Sequence, residues 1–130
     1  MNIKEEAFEG QLPAELTNMI VTPNQIIGLD EADIKQVANR RKGKAFILEQ
    51  EEEDYPTFMK SSFKALGEKE EVKAGQYFLL SIQTTGSTLN MEDINHVNDF
   101  MDSLGEDFEL KWGIAQLKEG AKMRIILLVS

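Results

Sequence analysis

Residues 76–117 read QYFLLSIQTTGSTLNMEDINHVNDFMDSLGEDFELKWGIAQL, and three successive patterns in this stretch decide the fold. Gln76–Thr84 is apolar at both parities through Tyr77, Phe78, Leu79, Leu80 and Ile82. A strand with one wet face alternates; a strand covered on both faces reads like this one. The period then changes. Over 91–104, Ile94, Val97, Phe100, Met101 and Leu104 share one helical face, with Asn90 at the N-cap, Asp93 at N3 and Gly105 after the last turn. Phe108–Leu117 returns to period two, with Phe108, Leu110, Trp112 and Ile114 alternating against Glu109, Lys111 and Gly113, as in a half-exposed strand near an edge. Strand, helix and strand in this order predict a parallel pair with a right-handed crossover.

The same reasoning extends outward. Met123–Val129 (MRIILLV) predicts a second doubly covered strand. The short connection Lys118-Glu119-Gly120-Ala121 predicts that it pairs as an antiparallel hairpin with 108–117. Upstream, Lys44–Glu49 holds Phe46, Ile47 and Leu48 and predicts a strand. A helix over 55–66 follows, with Pro56 in its first turn and Phe58, Met59, Ser62, Phe63 and Leu66 as its buried stripe. A helix over 30–41 turns Ile34, Val37 and Ala38 inward, with Asp30 at the N-cap and Asp33 at N3 as an acidic capping box. A short helix over 14–21 follows Pro13. The expected architecture is α/β in two layers (α+β): a four-stranded mixed sheet with 76–84 and 123–129 central. Helices 55–66 and 91–104 lie on one face, and the two earlier helices cover part of the other. Residues 1–15 are read as an N-terminal extension and 16–130 as the domain.

Composition narrows function. The chain has 130 residues, 42% of them apolar, and a formal charge of −9 from 14 basic and 23 acidic residues. That balance argues against nucleic acid or an anionic membrane as the main partner. The longest apolar run, Ile125–Val129, is far below the roughly 20 residues of a membrane helix. There is no cysteine and a single histidine, His96, so thiolate chemistry and multi-histidine metal sites are excluded. These features fit a cytoplasmic protein.

Catalytic motifs are missing. No G-x-G-x-x-G or G-x-x-x-x-G-K-[ST] occurs, and the turn Thr84–Thr88 is a connection rather than a phosphate loop. His96 lies within a helix, with no G-x-S-x-G elbow to serve. The basic cluster Arg40–Lys44 is read as a helix end with Gly43 as terminator, and the acidic run 49–54 as the approach to the next helix. The pair of interest is Asp30 and Asp33, three apart at a helix start after the loop Ile26-Ile27-Gly28-Leu29.

Met19-Ile20-Val21-Thr22-Pro23-Asn24-Gln25-Ile26-Ile27-Gly28-Leu29-Asp30-Glu31-Ala32-Asp33-Ile34 resembles the junction of central helix and synergy loop in FtsZ, the division GTPase of the tubulin superfamily. The family pattern there is roughly I-x-x-P-G-x-I-N-x-D-F-A-D-V. Pro23, Ile27, Asp30, Ala32 and Asp33 match it, while Gly28 stands for its asparagine and Glu31 for its phenylalanine. Gly43–Glu49 resembles the family's G-x-A-x-M-G strand. Gln76–Leu89 resembles V-L-V-N-I-T-G-G-x-D-L-x-L, and Arg124–Val129 resembles R-V-T-V-I-A-T-G. The resemblance spans about 16–130 and implies the C-terminal, GTPase-activating domain without the G-G-G-T-G-T-G nucleotide loop. It implies no cofactor or metal of the chain's own. It also implies a partner face at Gly28, Asp30 and Asp33, directed at an FtsZ-like GTPase subunit or at another copy of the chain. Asp30 and Asp33 would there supply the synergy-loop acids that position a water on the partner's nucleotide. The expectation is a non-catalytic interaction module of filament assembly or cell division. The alternatives are a small-molecule-binding or enzymatic α/β domain, and one domain of a larger cytoskeletal protein.

Overall fold

The computed structural model describes residues 3–22, 25–51, 54–85, 91–105, 107–116 and 123–130, with backbone alone at 91 and 92. Asn90, residues 86–88 of the Thr84–Thr88 turn and the Lys118–Ala121 connection lie outside them. The strands are β1 (Ile3–Glu9), β2 (Gln25–Ile27), β3 (Lys42–Glu49), β4 (Tyr77–Thr84), β5 (Glu109–Gln116) and β6 (Met123–Val129). The helices are α1 (Ala14–Ile20), α2 (Glu31–Ala38), α3 (Tyr55–Gly67), α4 (Glu70–Ala74) and α5 (Met91–Ser103).

The sheet has six strands in the order β1-β3-β6-β4-β5-β2. As expected, β6 and β4 are central and β5 lies one strand from an edge. Two expectations are corrected. The sheet has six strands rather than four, because residues 3–9 of the presumed extension pair antiparallel with β3 and residues 25–27 pair antiparallel with β5. The hairpin of 108–117 with 123–129 does not form. β5 pairs parallel with β4, while β6 passes over β4 and inserts antiparallel between β4 and β3. The doubly apolar pattern of MRIILLV explains this, since from Met123 to Val129 only Arg124 stays partly exposed. At the edge such a strand would leave a run of backbone donors and acceptors and apolar side chains in water.

Alternate residues of the central strands feed two cores. Phe46, Leu48, Phe78, Leu80, Ile82, Ile125 and Leu127 pack with Phe58, Phe63 and Leu66 of α3, Val72 of α4 and Val97 and Phe100 of α5. Ala45, Ile47, Leu79, Ile126 and Leu128 pack on the other face with Leu16 and Ile20 of α1 and Ile34, Val37 and Ala38 of α2. The helices therefore make a layer on each face, three layers in all rather than two, with α3 and α5 together on one side as predicted.

Local chemistry sets the boundaries. Asp54 Oδ1 accepts from the Thr57 amide at 2.9 Å to start α3, and hydrogen bonding from the Thr57 side chain, then from its amide, holds the Asp54 carboxyl below its usual range. Gly105, at φ 90°, ends α5. Gly43 is not a helix terminator. It lies in β3, where a Cβ would strike the Val129 carbonyl and the Phe8 ring. β1 is tied down by ions: Glu5 bonds Lys69 at 3.1 Å and Lys44 at 3.2 Å, and Lys44 also bonds Glu71 at 3.2 Å.

Two outcomes follow from these contacts. Gly43→Ala should destabilise the fold by about 2–3 kcal/mol, read by chemical denaturation, because backbone rather than a flexible side chain occupies the space. The ionic cluster sets a pH window. Bonds from Lys69 and Lys44 lower the Glu5 carboxyl below its ordinary 4.5, and Glu71 is lowered by its own amide and Lys44. Their contribution is complete above pH 4.5 and is lost as pH falls through the depressed folded values. Lys44, raised above 10.5 by Glu5 and then Glu71, contributes below pH 10.5 and loses its share above it. In melts across pH, Glu5→Gln should be less stable than the wild type near neutrality, and the difference should shrink through acid pH.

Candidate functional site

The sheet places Gly28, Asp30 and Asp33 together at its β2 edge. Sequence dictates the approach. The Gln25 side chain brackets the turn, its Nε2 donating to the Leu29 carbonyl at 2.7 Å and its Oε1 accepting from the Leu29 amide at 2.6 Å. Leu29, 3% exposed, drops onto the sheet over Gly113. A Cβ at Gly113 would come within 2.5 Å of the Ile27 carbonyl and 2.7 Å of Leu29 Cγ, so this gap in β5 seats the whole corner. Gly28 is exposed, and a Cβ there would meet nothing within 4 Å. Its backbone places no demand for glycine.

Asp30 begins α2 in extended conformation, and the predicted capping box is present. The Asp33 amide donates to Asp30 Oδ1 at 3.0 Å and the Asp30 amide donates to Asp33 Oδ2 at 3.0 Å. Each carboxylate thus spends one oxygen on the helix. Asp33 Oδ1 lies 4.0 Å from Lys111 Nζ, an exposed pair worth well under about 1 kcal/mol. Asp30 is exposed and Asp33 half-buried, so the second oxygen of Asp30 belongs to an exposed residue, while that of Asp33 lies toward Lys111. The arrangement can accept further hydrogen bonds.

Periodicity did not reveal the setting of this pair. Ile26 and Ile27, read as part of a loop, form an edge strand and are 56% and 39% exposed, the exposed large hydrophobic residues among those described. The signal was two consecutive β-branched apolar residues before a glycine, too short to read as a strand. Behind the corner, a groove of about 550 Å³ between α1 and α2 is lined by Thr17, Asn18, Glu31, Ile34 and Lys35. His96 lies half-buried on α5, in a separate groove with Lys60, Lys64 and Asp99. The Ser103 hydroxyl in that groove is bonded to the Phe100 carbonyl at 2.6 Å. Thr84 is buried and Tyr55 Oη donates to the Thr85 carbonyl at 3.1 Å. Among the described residues, no helix is long and apolar enough to cross a membrane.

No family model matches the sequence, and no curated protein matches it. Solved structures do. An empty FtsZ dimer from M. jannaschii superposes with a TM-score of 0.63 at 19% identity, over 85% of this chain and 33% of that one. A point variant of FtsZ from the same organism gives 0.59 at 18% identity, over 85% and 34%. The chain spans about a third of the length of the FtsZ chains it matches. The mixed α/β fold is thus similar to that of the FtsZ C-terminal domain, as the sequence resemblance implied.

The capping box makes its own prediction. Asp30→Ala should lower stability by about 1 kcal/mol, while Asp30→Asn, which caps nearly as well, should melt within a few tenths of a kcal/mol of wild type. Equal losses in the two melting curves would show that the carboxylate charge, not the cap, supports the helix.

Proposed function

We propose that this chain is a non-catalytic docking module that presents its β2–α2 corner to a subunit of an FtsZ-like filament. The observation that carries the reading is the juxtaposition of exposed Ile26 and Ile27 with the capped, exposed Asp30 and its partner Asp33 on one sheet edge. An edge strand offers unpaired backbone groups, the isoleucines offer apolar area, and the acids offer direction. Similarity of fold to a part of FtsZ supplies the kind of partner. The absence of a phosphate loop from the sequence supports a role without nucleotide turnover by the chain itself.

In this reading the acids act on the partner. With one oxygen of each committed to the cap, Asp30 keeps a free oxygen toward the interface, while Asp33 is partly answered by Lys111. Asp30 is therefore the residue whose charge a neighbouring nucleotide site senses.

Co-sedimentation with GTP-polymerised FtsZ tests the proposal. The wild-type chain should pellet with polymer at micromolar concentration. Asp30→Asn should leave melting intact yet change the partner's GTP turnover, and an Ile26→Asp/Ile27→Asp variant should stay in the supernatant. Purified alone, the chain should neither hydrolyse GTP nor bind it with a dissociation constant below about 100 µM, or roughly −5.5 kcal/mol. Absence of pelleting at micromolar concentration would defeat the docking proposal. Tight GTP binding by the isolated chain would defeat the non-catalytic one.

A further inference from the structure

In a chain of 23 acids, the stretch 34–48 contains none, and it carries Lys35, Arg40, Arg41, Lys42 and Lys44. The fold treats these cations differently. Lys44 is answered by Glu5 and Glu71. Lys42 faces Glu9 at 3.5 Å, with both side chains largely in water. The guanidinium groups of Arg40 and Arg41 make neither an ion pair nor a hydrogen bond among the described residues.

The turn that carries them is pinned. The Gly10 amide donates to the Arg41 carbonyl at 2.8 Å, and the Arg40 amide donates back to the Gly10 carbonyl at 3.3 Å. Arg40 is the non-glycine residue with positive φ among those described, at 61°. That conformation favours glycine or asparagine, and an exposed arginine there gives the backbone no advantage. A residue kept in a sparsely populated conformation without local reason points to a use for its side chain. Arg41 lies 3.7 Å above the Tyr77 ring. Stacking occupies one face of the guanidinium, orients its plane and leaves its donor edge open.

Complementing the carbonyl end of α2 would account for a cation near this turn. Lys35 already stands in that last turn. Such complementation needs neither a left-handed backbone nor an aromatic platform. Two unanswered guanidiniums on adjacent residues, with Cα atoms about 3.8 Å apart, bring two charges and two sets of donors to one place. A phosphate monoester is the matching group, with about two negative charges near neutral pH and three acceptor oxygens. A single carboxylate answers only one arginine. An extended polyanion meets the −9 of the whole chain, whereas a compact dianion at the turn meets chiefly the cations within a Debye length.

We infer that the Arg40–Arg41 turn is a binding site for a phosphate monoester. Arg41, oriented on Tyr77, is the fixed fork, and Arg40 supplies the second set of donors from the adjacent position. Lys42 adds a neighbouring positive charge, since its exposed pair with Glu9 holds it only weakly. The turn follows the C-terminal end of α2, whereas Asp30 begins that helix. The site is therefore separate from the proposed FtsZ-directed corner, and neither reading depends on the other.

Amide NMR shifts of the full chain, titrated with inorganic phosphate near neutral pH at a constant ionic strength of about 0.15 M, test this inference. Saturable shifts should centre on residues 39–42 and Tyr77, with a dissociation constant of about 1 mM or tighter. R40G/R41Q should bind at least about tenfold more weakly. R40G alone should melt no lower than the wild type, because glycine suits the left-handed position. K60Q/K64Q, with the same loss of charge on α3, should bind phosphate like the wild type. Two further probes identify the source of the phosphate. Tighter binding of a hexose monophosphate than of inorganic phosphate supports a free metabolite, and tighter binding of a phosphoserine peptide supports a phosphorylated partner. Absence of saturable shifts up to about 20 mM phosphate, affinity unchanged in R40G/R41Q, or equal shifts with acetate would each overturn the inference.

Discussion

The structure depends on one constraint: Met123–Val129 must be covered on both faces and paired on both edges. Seven residues with six apolar side chains cannot lie at a sheet edge without exposing apolar surface and an unpaired backbone. Placing β6 between β3 and β4 resolves this, and the remaining architecture follows. β3 and β4 become next-but-one neighbours with the same direction. The crossover through α3 spans the inserted strand, and β5 is displaced outward, where its half-exposed pattern is tolerated. With both faces of the sheet apolar, a helical layer is required on each.

That displacement creates the candidate site. With β5 next to the edge, only a short strand can close the sheet beside it, and β2 supplies three residues before the Gln25 bracket turns the chain into α2. Gly113 gives Leu29 its seat, Leu29 fixes the start of α2, and the capping box fixes the two aspartates on each other. Each of these carboxylates has two oxygens and the capping box uses one of each, which leaves the second for the proposed contact.

Much of this was legible in the sequence. Long periodic elements were found nearly at their observed bounds, and the Asp30–Asp33 box was read from spacing alone, because cap chemistry is local. The failures were non-local. β1 reads IKEEAFE, with alternation broken by Glu5 and Glu6, and the lysines that pair with Glu5, Lys44 and Lys69, lie far along the chain. The pairing of β6 was misassigned because a short connection usually means a hairpin, and the rule lost to the burial demand of MRIILLV. Arg40, rather than Gly43, took the left-handed turn, since Gly43 was needed where Phe8 and the Val129 carbonyl crowd β3.

The β2–α2 corner is proposed as a contact surface and not merely a capped helix start. Amide hydrogen exchange of the full chain, with and without GTP-polymerised FtsZ, reads this directly. A docked corner should show added protection concentrated in residues 25–34, with α3 and α5 unchanged. Protection confined to α3 and α5, or none at saturating polymer, would contradict it.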